Sequence, residues 1–91
     1  MATIFVPTPM RKVTGGQGKI KIQASTIQEA IERANAAYPG FRERVLDGDG
    51  EIKRFINVFV NGVDVRTLQG RATPLREQDE VAVIPAMAGG S

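Results

Sequence analysis

Residues 26–40, TIQEAIERANAAYPG, are the clearest stretch of this chain in which apolar residues recur at helical spacing, and strand-like segments flank it on both sides. Ile27, Ala30, Ile31 and Ala34 fall on one stripe, while Gln28, Glu29, Glu32 and Arg33 point to water. Thr26 followed by Glu29 has the spacing of a capping box, the threonine taking a backbone amide and the glutamate reaching back. Pro39-Gly40 stops the helix, and FRERVL is expected to add one further turn that packs Phe41, Val45 and Leu46 on the core. A chain of 91 residues has room for one core. A helix with one apolar stripe must therefore lie across one face of whatever sheet the rest of the chain builds.

The strands can be placed around it. TIFVP reads as a first strand, Thr3 to Val6, ended by Pro7. Pro7, Thr8 and Pro9 open a polar loop, and TGGQGK supplies residues that let the chain reverse. KIKIQ alternates charge with isoleucine, the pattern of a half-buried strand with Ile20 and Ile22 toward the core. RFINVFVNGVDVR holds two β-rich runs joined by Asn61-Gly62, a pair suited to the left-handed conformations of a tight hairpin. TLQGRATPLREQDE is a long polar connection, and EVAVIP is the last strand. Two strands, a helix, a hairpin and a final strand match the α+β, ubiquitin-like β-grasp. That fold is a mixed sheet with one main helix packed on one face and its first and last strands side by side in the centre.

The two faces of such a sheet differ. Ile56, Val58 and Val60 share the side that suits the helix, which leaves Phe55, Asn57 and Phe59 on the other. In the last strand Val81 and Val83 fit the core and Ala82 and Ile84 face outward. Phe5 joins them if Ile4 and Val6 point inward. Phe59, Ile84 and Phe5 then either make an apolar docking surface beside the C-terminal segment, or lie under long loops or stand as scattered surface residues. Arg66, Arg71 and Arg76 either rim such a patch or are solvated charge; Arg71 is the arginine grouped with the three apolar residues as the candidate docking set.

Absent residue types exclude most chemistry. With no cysteine the chain has no disulfide, thiolate nucleophile or thiolate metal site. With no histidine it lacks the usual near-neutral base and the commonest metal ligand. Carboxylates, Lys53, Tyr38 and hydroxyls remain, but in no paired arrangement. DGDGE reads as a turn; as a calcium loop it fails at the sixth position, where Ile52 stands in place of glycine. A net charge of +2, spread along the chain, makes no basic stripe for nucleic acid. No apolar stretch approaches bilayer length. In MATIFVPTPMRK the charges follow the apolar run, the reverse of a signal peptide, so a cytoplasmic location is expected. The chain is expected to be no enzyme, and to bind no metal or cofactor of its own.

The chain closes with VAVIPAMAGGS. The expected division is a domain over residues 1–85 and a flexible di-glycine tail over residues 86–91. If extended, residues 86–90 reach about 16–18 Å, enough to enter a narrow channel in another protein. Glycines suit such a channel because they carry no Cβ.

RFINVFVNGVDVR, ATPL and DEVAVIPAMAGG together resemble the ubiquitin-like sulfur carriers of the MoaD/ThiS type. This is the family of the molybdopterin-synthase small subunit and the thiamin-pathway carrier, and within it the likeness is greatest to the cysteine-pathway carriers of actinobacteria. The likeness runs from the first strand to Gly90. It implies that an E1-like adenylyltransferase, consuming ATP, adenylates the Gly90 carboxylate, and that a sulfur donor then displaces AMP to leave a thiocarboxylate. Ala86, Met87, Ala88 and Gly89 would thread into the partner. A cysteine-synthase-like enzyme is the implied acceptor, with supply to molybdopterin, thiamin or a sulfur-containing natural product as alternatives. Modification of lysines through isopeptide bonds is an alternative of another class. Ser91 departs from the pattern, because while it remains Gly90 has no carboxylate to activate. It is either a cap removed by a JAMM-type zinc metallopeptidase or a remnant of cloning.

Overall fold

The helix forms where its apolar stripe places it. In the computed structural model, which describes residues 1–85, α1 spans Ile27–Ala37 and buries Ile27, Ala30, Ile31 and Ala34. The backbone N–H of Glu29 donates to Thr26 Oγ1 at 3.1 Å, the first half of the capping box. The reciprocal half is displaced by one residue: Glu29 Oε1 accepts the amide of Ser25 at 2.7 Å and its hydroxyl at 3.0 Å. A short bridge explains the shift. Leu75 N–H donates to the Ser25 carbonyl and Ile27 N–H to the Thr73 carbonyl, which fixes the approach to the helix and holds Ser25 within reach of the glutamate. Beyond α1, Asn35 Oδ1 accepts the amides of Gly40 and Arg42, each at 3.1 Å, and so holds the break before α2, Phe41–Val45. Phe41 and Val45 are fully buried, as expected.

The strands are β1 (Ala2–Phe5), β2 (Lys19–Ile22), β3 (Ile56–Val60), β4 (Val63–Asp64) and β5 (Glu80–Pro85). They form a five-stranded sheet in the order β2-β1-β5-β3-β4. First and last strands run parallel beside each other, and β2 and β3 flank them antiparallel. This is the expected β-grasp. Ile4, Val6, Ile20, Ile22, Ile56, Val58, Val60, Val81 and Val83 are buried in one cluster with the helical residues. Among the described residues no helix is long and apolar enough to cross a membrane.

Three segments differ from the sequence reading. The hairpin turn is as expected, with φ 50° at Asn61 and 85° at Gly62, but its second strand ends after Asp64. The Asp64 carboxylate accepts the Arg66 N–H at 2.8 Å and turns the chain into a 3₁₀ turn, Val65–Thr67, which drops Val65 into the core. The loop after β1, read as polar, forms a 3₁₀ turn over Thr8–Met10 and buries Met10 and Thr14. Thr14 is tolerated there because its hydroxyl donates to the Gln17 carbonyl at 2.8 Å. The long connection likewise buries Thr73 and Leu75. At the DGDGE turn, Asp47 Oδ1 accepts the amides of Asp49 at 2.9 Å and Glu51 at 3.0 Å, an Asx-type closure.

Candidate docking face and tail root

The register of the sheet aligns its uncovered face into rows. Phe5 lies opposite Lys19 on one side and Ala82 on the other, and Ala82 opposite Phe59, which in turn faces Asp64. Cross-strand partners share a face, so Lys19, Phe5, Ala82, Phe59 and Asp64 make one continuous outward row. Phe5 and Phe59 are half-buried and stand two strand spacings apart, about 10 Å. The small Ala82 between them leaves a saddle with aromatic walls. Ile84, 47% exposed, continues the apolar surface toward the end of β5, opposite Asn57. The structure thus brings Phe59, Ile84 and Phe5 onto one face.

The arginines separate. Arg66 rims the patch: its guanidinium donates to Asn57 Oδ1 at 3.0 Å and to the carbonyls of Lys53 and Ile56 at 2.9 and 2.8 Å. Arg71 does not belong with Phe59, Ile84 and Phe5. It lies on the helix side of the sheet, donating to Gln28 Oε1 on α1 at 3.0 Å and pairing with Glu51 at 2.9 Å. Its 3₁₀ turn, Gly70–Ala72, folds against α1 after Val65 has pulled the preceding chain into the core, a long-range placement that residue type cannot foretell. Arg76 stands in the turn before β5, at the end of the sheet away from Pro85, where its amide donates to Asp79 Oδ2 at 2.9 Å.

Pro85 ends β5 opposite Ile56 and is the last described residue. Beside it a cleft of about 240 Å³ is lined chiefly by Phe5, Pro7, Arg11, Gly18, Ile84 and Pro85. Larger hollows lie elsewhere, around Gln28 and Arg71 and around Met1 and Arg33, and Pro85 lines neither. Arg11 had no signal in the sequence: it sits in an irregular segment with no period, and only the folded loop carries it to this end of the sheet. The sequence-predicted residues Gly90, Ala86, Met87, Ala88, Gly89 and Ser91 lie outside the described residues.

Two carboxyls titrate below their ordinary range. Glu29 is lowered mainly by the Ser25 backbone N–H and then by the Ser25 hydroxyl; Asp79 is lowered mainly by the Arg76 backbone N–H and then by the Asn61 amide. Both are a cap and a turn. Among the described residues, no three His, Cys, Asp or Glu side chains gather to hold a metal ion.

β5, a central strand beside an apolar face, is followed in sequence by Ala86, Met87, Ala88, Gly89, Gly90 and Ser91. The sequence profile of the ThiS family matches residues 4–90. The chain belongs to the ThiS family. This ThiS-family chain is 39% identical over 90 residues to the sulfur carrier protein CysO of Mycobacterium tuberculosis, covering 97% of each chain. Its fold is similar to that in the crystal structure of the Amycolatopsis orientalis BexX/CysO complex, with a TM-score of 0.93, 32% identity, and 99% of this chain and 100% of that chain covered. It is also 39% identical over 66 residues to small archaeal modifier protein 3 of Haloferax volcanii, 72% of this ThiS-family chain and 71% of that relative.

Proposed function

We propose that the chain is a sulfur carrier whose reactive group is the Gly90 carboxylate, exposed after loss of Ser91, and that its sulfur goes to cysteine synthesis. The observation that carries this reading is the near full-length likeness to CysO. The family match also runs through Gly90 and stops before Ser91, which supports Gly90 as the working end. The missing cysteine and histidine fit as well, since a carrier of this kind needs no reactive side chain.

A zinc metallopeptidase of the JAMM type hydrolyses the Gly90–Ser91 bond and releases serine. An E1-like enzyme brings ATP; an oxygen of the Gly90 carboxylate attacks the α-phosphate, and pyrophosphate leaves. A sulfide-level donor attacks the acyl adenylate and expels AMP, which leaves a thiocarboxylate. On a cysteine-synthase-like enzyme the thiocarboxylate sulfur adds to the β-carbon of an aminoacrylate. The thioester-linked adduct then shifts its acyl group from sulfur to nitrogen, and hydrolysis of the new amide frees cysteine and restores the Gly90 carboxylate. Throughout, the folded body presents the end and identifies it.

Intact mass spectrometry tests the reading. The chain ending at Gly90, with ATP, the E1-like enzyme and sulfide, should gain about 16 mass units as one oxygen becomes sulfur. No gain, together with no pyrophosphate release, refutes it. The likeness to a small archaeal modifier protein favours a second reading, in which Gly90 joins lysines by isopeptide bonds. That reading predicts conjugates on target lysines and no thiocarboxylate. Incubating the full chain with the metallopeptidase should remove one serine; an unchanged mass excludes Ser91 as its cap.

A further inference from the structure

We infer that Arg11 determines which partner the carrier engages, pairing with a carboxylate that sits beside an apolar side chain seated in the cleft at the tail root. The inference rests on the carrier function proposed above, and it names a residue and a partner chemistry for it.

Arg11 is ordered before any partner arrives. Its Nε donates to the Val6 carbonyl at 3.1 Å. Its guanidinium lies against Gly18 so closely that a Cβ there would come within 3.1 Å of one Nη, 3.2 Å of Cζ and 3.3 Å of Nε. Gly18 in turn accepts the Val6 N–H at 2.8 Å, so the two ends of the 7–18 loop clamp the arginine from both sides. A side chain already fixed loses less rotamer freedom on binding, and a guanidinium matches a carboxylate with two parallel donors.

Its charge is also unspent. Arg33, Arg42 and Arg71 pair with Glu29, Glu32 and Glu51, whereas Arg11, like Arg44, Arg54, Arg66 and Arg76, makes no ion pair among the described residues; of these five only Arg11 lines the cleft. Among the described residues no acidic side chain lines it. Lys19, opposite Phe5, adds a second positive charge on the same face. An apolar hollow of about 240 Å³ with a free guanidinium at its edge fits one apolar side chain carried next to an aspartate or glutamate. The cleft adjoins Pro85, so a segment seated there would hold the partner at the point from which residues 86–90 depart. Gly90 is at most about 18 Å further on. Arg11 is therefore assigned to partner binding, a role separate from the chemistry at Gly90.

The test is adenylation of the chain ending at Gly90 by the E1-like enzyme, read as pyrophosphate release against carrier concentration. Arg11→Glu should raise the carrier's KM at least about tenfold and leave kcat within about twofold. Arg11→Lys keeps the charge but not the two parallel donors, so its KM should lie between those of the wild type and Arg11→Glu. Lys12→Glu makes the same charge change outside the cleft lining and should move KM little. KM of the wild type should climb with NaCl more steeply than that of Arg11→Glu. Thermal melts show that each variant is folded; should Arg11→Glu not fold, Arg11→Gln, which removes the charge without adding one, takes its place in the KM and salt comparisons. Equal KM values for Arg11→Glu and Lys12→Glu overturn the proposal, and so does a wild-type dimer that Arg11→Glu abolishes, since a second copy would then occupy the cleft. If the wild type is not adenylated at all, it is the carrier reading that fails, and the proposal goes with it.

Discussion

Asn61 offers the sharpest test of how the sheet is locked together. Its backbone is left-handed, with φ 50°. Its side chain crosses to the start of β5, where Nδ2 donates to Asp79 Oδ1 at 3.1 Å and Oδ1 accepts the Glu80 N–H at 2.9 Å. Alanine would remove both bonds, each worth about 0.5–1 kcal/mol at an exposed site, while the left-handed backbone stays strained, as it already is for asparagine. Asn61→Ala should therefore cost about 1–2 kcal/mol. Glycine loses the same bonds but not the strain, so Asn61→Gly should be more stable than Asn61→Ala by about 1 kcal/mol. For a domain of this size that separates their melting temperatures by about 4–8 °C. Circular dichroism melts and urea titrations measure both, with an unchanged urea slope as the check that the unfolded state is comparable. If the two variants melt together, backbone strain at Asn61 contributes nothing. If both melt with wild type, the bonds to Asp79 and Glu80 contribute nothing either.

Other perturbations reach the core, the carboxyls and the tail. Phe41, fully buried, fills the space between α2 and the rest of the core cluster, so Phe41→Ala should cost about 3–5 kcal/mol in chemical denaturation; a loss under about 1 kcal/mol refutes close packing there. Glu29 and Asp79 both titrate below their ordinary values in the folded chain. The unfolded chain thus binds more protons in the acid range, and the stability these groups supply is present above about pH 4.5 and lost as the pH falls through their folded values. Melts from pH 6 downward should show the loss, and Glu29→Gln should flatten part of it. Gly90→Ala, in the chain ending at residue 90, should reduce thiocarboxylate formation at least about tenfold while leaving the melt unchanged; a lowered melting temperature would make that residue structural.

Much of the fold was legible because its signals are local. The helix stripe from Ile27 to Ala34, the Asn61-Gly62 turn and the alternation of Val58 with Phe59 each follow from a period or a turn preference carried by neighbouring residues. The partition of the sheet into a helix-facing side and an open one came from the same alternation, and with it the placement of Phe5, Phe59 and Ile84. Where the chain has no period, the reading lost its hold. Met10 and Thr14 lie in a stretch of prolines and glycines, yet tertiary packing buries both. The same is true of Val65: an Asx-type bond from Asp64 ends the strand early and redirects the chain. Arg71 was misplaced and Arg11 missed for one shared reason. A long cation's position depends on which loop folds under it, and loops 7–18 and 65–75 are settled by contacts distant in sequence.

The position of the last strand joins fold to proposed function. β5 is paired to β1 over Glu80–Ala82 and to β3 over Val81–Pro85, so the body of the strand is held by two ladders and Pro85, the last described residue, by the β3 ladder. Pro85 has no N–H to donate, so it withdraws a donor from pairing where the strand ends. On the proposed carrier reading, residues 86–90 if extended would reach at most about 18 Å from Pro85, and partners would be told apart by surface near that residue. The two sides of the molecule are unequal there. Arg42 and Arg71, on the helix side, are neutralised by Glu32 and Glu51. The open face keeps its aromatic saddle at Ala82 and, at the end where β5 stops, two hydrogen-bonded arginines, Arg11 and Arg66, without a counterion among the described residues. On the proposed carrier reading, that face is where a partner's complementary contacts are expected.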